Sequence, residues 1–345
     1  MNVLGLNSKL DIHEKLGDLR QIASIECMEV MEASGIKNQI IQVRNGIGLR
    51  FEINVSRGFD IGLCELHGIP ISWVSSTGRV APFFYEKEGN EWNRGFEGGL
   101  LTTCGLQQAG KPSVDEEQSF GQHGRVSWIP ATVLQTEVKW ENDTYIMICK
   151  GKVVESKAGG EKLVLERSII TYVDKNRIEV SDRVVNEQFH DQPHMILYHW
   201  NFGYPLIDEN TVISELKSDK QLINGNDSHY LETMGMPKVS QDAKPSLILH
   251  ENIYTHDDNI RINMKNNIRL LNELKTLEVE ISYDKNQCPY LSHWRNSKKG
   301  MNVMSFEPGN VSTKGRKFHR ENGSLPTLSF GEERTYDFTI EFKID

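Results

Sequence analysis

The sequence predicts an all-β protein, a large antiparallel sandwich with a few short helices. Three observations carry this. WIPATVLQTEVKW, TYIMICKGKVV, KLVLERSIITYV and RIEVSDRVVNE are successive runs of about ten residues in which apolar and polar positions alternate, the period of a half-buried strand. Asn, Asp and Gly punctuate these runs at regular intervals, as hairpin turns require. Between them there is no long helical pattern of the kind that links parallel strands in βα units.

The elements follow in order. Asp11 with Glu14 three positions later reads as a capping box, and Leu16, Leu19, Ile22 and Ala23 continue at helical spacing, which predicts one short amphipathic helix. From Ile25 the period becomes two. IECMEVM, QIIQVR and LRFEINV are separated by a Ser-Gly and an Asn-Gly turn, and SRGFDIGL, Ser56 to Leu63, closes this meander. Gly58 and Gly62 mark a bend or a close approach of backbone. Glu91 to Gln122 is glycine-rich and irregular, a loop long enough to expect a function of it. It leads into HGRVSW and matches neither a G-x-G-x-x-G fingerprint nor a P-loop. After the strand-like MILYHWNFGYPLI, Met195 to Ile207, the pattern continues through SLILHENIY, Ile260 to Leu270, TLEVEISY and CPYLSHWRNSKKGMNVMSFEPGN. The last run, TYDFTIEFKI, places Tyr336, Phe338, Ile340, Phe342 and Ile344 on one face, as a strand covering a core would. No composition break marks a linker, so one domain over residues 1–345 is expected.

Composition excludes several classes. With 38% hydrophobic and 25% charged residues, the chain reads as an ordinary globule rather than a disordered one. A net charge of −9 without a basic stripe argues against nucleic acid as a partner. The five cysteines are scattered, with no CxxC pair, so neither a metal knuckle nor a disulfide framework is expected, and reduced thiols in a cytoplasm fit. No stretch has the apolar length of a secretory h-region or a membrane span, and no membrane partner is expected. Oligomeric state is not legible.

Candidate site residues come from strand geometry. Alternate side chains face opposite ways, so Ile196, Tyr198, Trp200 and Phe202 share one face and Leu197, His199 and Asn201 the other. Either this is a core strand whose His and Asn are satisfied by neighbours, or it presents an imidazole and an amide to a ligand. Val303, Ser305 and Glu307 likewise share a face opposite Met304 and Phe306. Arg57 beside Asp60 is either a surface ion pair or a guanidinium fork reaching into a pocket, where it suits vicinal hydroxyls. His123 precedes Gly124 and Arg125, Tyr290 and Trp294 bracket a polar patch, and His250, His256 and Asp257 lie near strand ends. His194 and His199 are an odd number of positions apart, and neither HxH nor HExxH occurs, so no metal is expected.

SRGFDIG, GGLLTTCGL leading to HGRVSW, LYHWNFGYPL, and PYLSHWRN followed by FEPGN occur in that order over nearly the whole chain. In this they resemble the aldose 1-epimerase (galactose mutarotase-like) superfamily, and within it the branch described as a domain of unknown function. The resemblance implies a β supersandwich whose concave face holds a sugar. It implies His199 as the catalytic histidine, Glu307 as the catalytic carboxylate, His123 as the histidine of the His-Gly motif and Arg57 as a sugar-binding arginine. Arg125, Asn201, Tyr290 and Trp294 complete the expected sugar site, with Asp257 in the place of the family's rim aspartate. The chain departs from the mutarotase pattern at His-Trp-Asn-Phe, where mutarotases have His-Ser-Tyr-Phe-Asn, and at Glu-Pro-Gly-Asn, where they have Glu-x-Gln. The lost glutamine leaves the choice of sugar open.

Exchanging anomers requires a base for the C1 hydroxyl proton and an acid for the ring oxygen, with no cofactor. Glu307, ionised if its pKa stays near ~4.3, is the expected base. His199, its pKa raised by a neighbouring carboxylate, is the expected acid. A non-catalytic carbohydrate-binding or sensing protein is the alternative from another class. An epimerase or isomerase acting at another carbon is the alternative reaction. The expected partner is a small-molecule sugar, neutral, acidic or phosphorylated. The basic cluster Lys298, Lys299, Lys314, Arg316 and Lys317 reads as a solvated loop rather than a phosphate clamp.

Overall fold

The structure is a computed structural model that describes residues 2–31, 36–225 and 231–345. The Ser34-Gly35 turn expected after the first strand lies outside the described residues. The principal strands in chain order are β1 (Ser24–Met31), β2 (Lys37–Arg44), β3 (Leu49–Asn54), β4 (Asp60–Leu66), β5 (Leu101–Leu106), β6 (Thr132–Glu141), β7 (Thr144–Ser156), β8 (Lys162–Tyr172) and β9 (Lys175–Asn186). They continue as β10 (Met195–Phe202), β11 (Asp219–Asn224), β12 (Ser246–Glu251), β13 (Asn259–Leu270), β14 (Glu273–Asp284), β15 (Tyr290–Asn296), β16 (Val303–Gly309) and β17 (Glu333–Ile344). Among the described residues the helices are α1 (Lys9–Lys15), α2 (Arg316–Glu321) and short 3-10 turns.

Two large antiparallel sheets result. One runs β1-β2-β3-β4-β5-β10-β16-β15-β12-β11, and the other runs β6-β7-β8-β9-β17-β14-β13 with the short Val212–Ile213 segment at its edge. This is the expected all-β, large antiparallel sandwich. The central strand β10 is flanked by β5 and β16, and all eight of its residues are buried. Ile196, Tyr198, Trp200 and Phe202 enter the core between the sheets. There the ring of Phe338 from β17 lies 4.4 Å from that of Tyr198 and 5.6 Å from that of Trp200. Leu197 turns to the opposite side, into a smaller cluster with Trp73, Trp92, Phe96 and Trp128. That side carries the site.

A buried charged knot pins the sheets together behind β10. The guanidinium of Arg167 on β8 donates to both oxygens of Asp182 at 2.8 and 2.6 Å and to Asp60 at 2.7 Å. Tyr198 donates its hydroxyl proton to Asp182 at 2.8 Å, and Thr103 donates to Asp60 at 2.6 Å. Burial pushes the Asp60 carboxyl above its ordinary range, although Arg167 opposes this.

Three expectations are corrected. The first helix is framed by Ser8, not Asp11. The Ser8 hydroxyl accepts from the Asp11 N–H and the Asp11 carboxylate accepts from the Ser8 N–H. The helix stops at Lys15, because Gly17 weakens it and Asp18 caps a separate turn at Leu19–Gln21. The Glu91 to Gln122 stretch is not one loop, since it contains β5, a central strand whose Thr and Gly obscured its period. Asp60 does not pair with Arg57 on the surface. Both are buried, and the partner of Asp60 is Arg167.

Candidate active site

β10 and β16 run antiparallel with Trp200 opposite Phe306 and Asn201 opposite Ser305. The same register carries His199 opposite Glu307. Both side chains leave the sheet on the face away from the core, and Nε2 of His199 is 3.1 Å from Oε1 of Glu307. They form the floor of a cleft of about 270 Å³. Trp294, opposite Ser305 on β15, supplies one wall. Trp92 and Phe96, carried by the Glu91–Gly95 turn and the residue after it, supply another. The His199 ring is thus surrounded by those of Phe96 at 5.0 Å, Trp294 at 5.8 Å and His123 at 5.9 Å. Asn90, Asn93, Gln122, Lys111 and Asn224 line the remainder.

Burial governs the electrostatics. It pushes the Glu307 carboxyl up to about 8, partly offset by the Ser305 hydroxyl, which donates to Oε1 at 2.6 Å. It pushes His199 down to about 3. An imidazolium facing a carboxylate would move the two values the other way. Desolvation outweighs that attraction because each group is nearly enclosed and, among the described residues, no cation bonds to the carboxyl. At neutral pH the resting pair therefore holds one proton, on Glu307, and the imidazole is neutral. This reverses the resting protonation expected from ordinary pKa values.

His123 enters the cleft through an unusual backbone. His123 and Gly124 both have positive φ, 59° and 69°, and a Cβ on Gly124 would stand 2.4 Å from the Gln108 carbonyl oxygen. Nδ1 of His123 accepts from the Gly110 N–H at 3.3 Å. Burial, with His199 adding a smaller effect, pushes its pKa down to about 3, so the ring is neutral with its proton on Nε2. His123 can act as a hydrogen-bond donor toward a ligand oxygen.

Of the expected residues, His199, Glu307, His123 and Trp294 meet at the cleft, and the others do not line it. Arg57 donates to the carbonyls of Ser127 at 2.6 Å, Val80 at 2.7 Å and Gly95 at 3.2 Å, and its guanidinium stacks 3.7 Å over Trp128. It braces the loops that build the wall and does not reach into the pocket. Arg125 is exposed, with its backbone N–H bonded to Gly105 O. Asp257 is exposed and bonded to Arg261 at 2.9 Å near the start of β13, in the other sheet. Tyr290 turns edge-on to His319 at 6.0 Å. Asn201 is fully buried two residues beyond His199 on the same strand, outside the cleft lining, and its Nδ2 donates to the His199 carbonyl at 2.9 Å. Trp92, Phe96, Gln122 and Asn224 were not legible individually; the flag on Glu91 to Gln122 covered the first three without resolving them. Among the described residues no three His, Cys, Asp or Glu side chains converge as metal ligands.

A family model described as a domain of unknown function, DUF4432, matches residues 35–342. The chain belongs to the DUF4432 family. No curated protein matches this DUF4432 chain. Solved structures do. A "putative aldose 1-epimerase" from Klebsiella pneumoniae superposes with a TM-score of 0.82 at 20% identity, covering 96% of this chain and 85% of that one. A galactose mutarotase-like protein from Clostridium acetobutylicum matches with a TM-score of 0.56 at 14% identity over 93% and 98% of the two chains. The galactose 1-epimerase from Lactobacillus acidophilus matches with a TM-score of 0.58 at 11% identity over 93% and 99%. At these identities the likeness establishes the galactose mutarotase-like fold for this DUF4432 protein.

Proposed function

We propose that the protein is a cofactor-independent aldose 1-epimerase that exchanges sugar anomers by a proton relay between Glu307 and His199. The supporting observation is their contact, a titratable pair 3.1 Å apart at the floor of an aromatic cleft. O1 and O5 of a pyranose are both bonded to C1, so an acid and a base already in contact can serve both oxygens at once. From the resting form, Glu307 gives its proton to the ring oxygen while the His199 imidazole takes the C1 hydroxyl proton. The C1–O5 bond breaks and the C1 carbonyl forms. Rotation about C1–C2 presents the other carbonyl face, and closure returns the protons, O5–H to Glu307 and imidazolium N–H to O1. The charge-separated form expected from the sequence, with Glu307 as base and His199 as acid, carries the same single proton but exchanges the targets: Glu307 would take the C1 hydroxyl proton and His199 would protonate O5.

The neutral His123 donates toward the C1 oxygen as its charge changes, and Trp294 covers the apolar CH face of the ring. A small-molecule sugar is the partner in this reading. A binding protein would have no use for an acid and a base held against each other on facing strands, which favours turnover over sensing. Polarimetry of freshly dissolved α-D-glucose and α-D-galactose tests the proposal. Wild-type protein should accelerate the approach to equilibrium, and Glu307→Gln should lose that acceleration while still binding sugar. Acceleration retained by Glu307→Gln would remove the carboxyl from the mechanism.

A further inference from the structure

Asn201 follows His199 by two residues on the same strand face and stands opposite Ser305 across the β10–β16 pair. It is fully buried. Its Nδ2 donates to the carbonyls of His199 at 2.9 Å and Gly99 at 3.2 Å. Two carbonyl acceptors settle which end of the amide is nitrogen, so Oδ1 points away from both. Among the described residues Oδ1 is buried without a hydrogen-bond partner, and so is Nδ1 of His199. Orphaned buried polar atoms are rare in folded proteins, and here an acceptor and a ring nitrogen belong to side chains two residues apart on one face of a buried strand. Burial lowers the hold of the His199 imidazole on a proton, and the Asn201 side chain opposes this in part.

We propose that Asn201 is a positioning residue whose Oδ1 accepts a hydrogen bond from the Nδ1–H of His199, fixing the tautomer in which a bare Nε2 meets Glu307. The proposal rests on the reading of His199 and Glu307 as the reacting pair. The arrangement has a counterpart on the facing strand, where Ser305, two residues before Glu307, donates to Oε1. Each reacting group is thus oriented by the polar residue next to it on its own strand face. With Nδ1 protonated and held, Nε2 can only accept, and the single proton of the pair can only belong to Glu307. When Nε2 takes the sugar's proton, the ring becomes an imidazolium whose Nδ1–H remains bonded to Oδ1, so no proton leaves the pair. Without that oxygen the ring is free to carry its proton on Nε2, where it would face the Glu307 proton and stall transfer.

The direct test is long-range 15N–1H NMR of ligand-free wild-type protein labelled at histidine, with His199 assigned by the loss of its signals in His199→Gln. The expected result is a protonated Nδ1 and a bare Nε2. A proton on Nε2, or an equal mixture of tautomers, overturns the proposal whether or not any sugar is turned over. For turnover of α-D-glucose or α-D-galactose, Asn201→Ala should lower kcat by about 100-fold, the scale of a misplaced reacting group, with KM little changed. Asn201→Asp, which restores an oxygen beside Nδ1, should recover part of kcat and shift the pH profile upward. An Asn201→Ala variant with wild-type kcat and pH profile contradicts the role. Should Asn201→Ala fail to fold, the wild-type tautomer still decides. A bare Nε2 in a protein that turns over no sugar would leave this assignment standing and defeat the proposed function instead.

Discussion

At the scale of single residues, the chemistry depends on burial acting in opposite directions on a carboxyl and an imidazole. Glu307 is protonated below about 8, and His199 is neutral above about 3, so the one-proton resting pair spans the neutral range. Anomer exchange should accordingly be flat between pH 5.5 and 7 and decline as pH rises through about 8, where the carboxyl loses its proton. A rise in rate across that region, measured by polarimetry, would show that an ionised Glu307 is the working form. Arg57 makes a second residue-scale prediction. Its three carbonyl partners and its stacking on Trp128 mark it as a brace, so Arg57→Lys, which cannot reproduce a planar fork, should lower the melting temperature and affect KM only secondarily. A large KM effect at unchanged stability would return Arg57 to the sugar. The sequence could not show this: an Arg next to an Asp reads as a pair, and only the fold reveals that Asp60 is claimed by Arg167 from more than one hundred residues away.

At the scale of elements, legibility followed periodicity. β8, β9, β14 and β17 alternate over most of their length and were legible, and so were the two faces of β10 and β16, because strand geometry alone determines them. β5 was hidden inside a glycine-rich stretch, since both of its faces are buried and a strand covered on both sides need not alternate. The turn bearing Trp92 and Phe96 carries no period either, so these aromatic walls were not legible one by one. The Gly110 segment gives the element-scale prediction. Its N–H orients His123, and a Cβ at Gly110 would lie 2.4 Å from the Thr313 carbonyl oxygen at a φ of 83°. Gly110→Ala should therefore displace the amide and reduce kcat by about 10- to 100-fold, with far-UV circular dichroism unchanged. Full activity in that variant would separate the turn from the orientation of His123.

At the scale of the whole molecule, one face of β10 is anchored in the core and the other carries His199 to the open cleft. The Arg167, Asp182, Asp60 and Tyr198 knot lies behind His199 and ties the two sheets together. Removing one member strands a buried charge, so Arg167→Ala should destabilise the fold by about 3–5 kcal/mol, read by chemical denaturation. A loss near zero would mean that packing alone joins the sheets. The site itself also weighs on stability. The folded protein keeps the Glu307 proton up to about 8, whereas the unfolded chain releases it near the ordinary 4.5, so this group's contribution to stability is full below 4.5 and is lost as pH rises to 8. His199 and His123 act in the other sense, because their values are lowered from 6.5 to about 3 and their contribution is lost as pH falls through that window. Glu307→Gln should thus gain stability relative to wild type on going from pH 5 to 9.

The central claim is that the Glu307–His199 contact moves protons on a sugar. The most direct measurement is the anomer equilibration rate of freshly dissolved α-D-glucose and α-D-galactose, followed by polarimetry with wild-type protein, Glu307→Gln and buffer alone. Acceleration by wild type with a return to the buffer rate in Glu307→Gln is the expected result. A wild-type rate equal to buffer, or equal acceleration by both proteins, would contradict it.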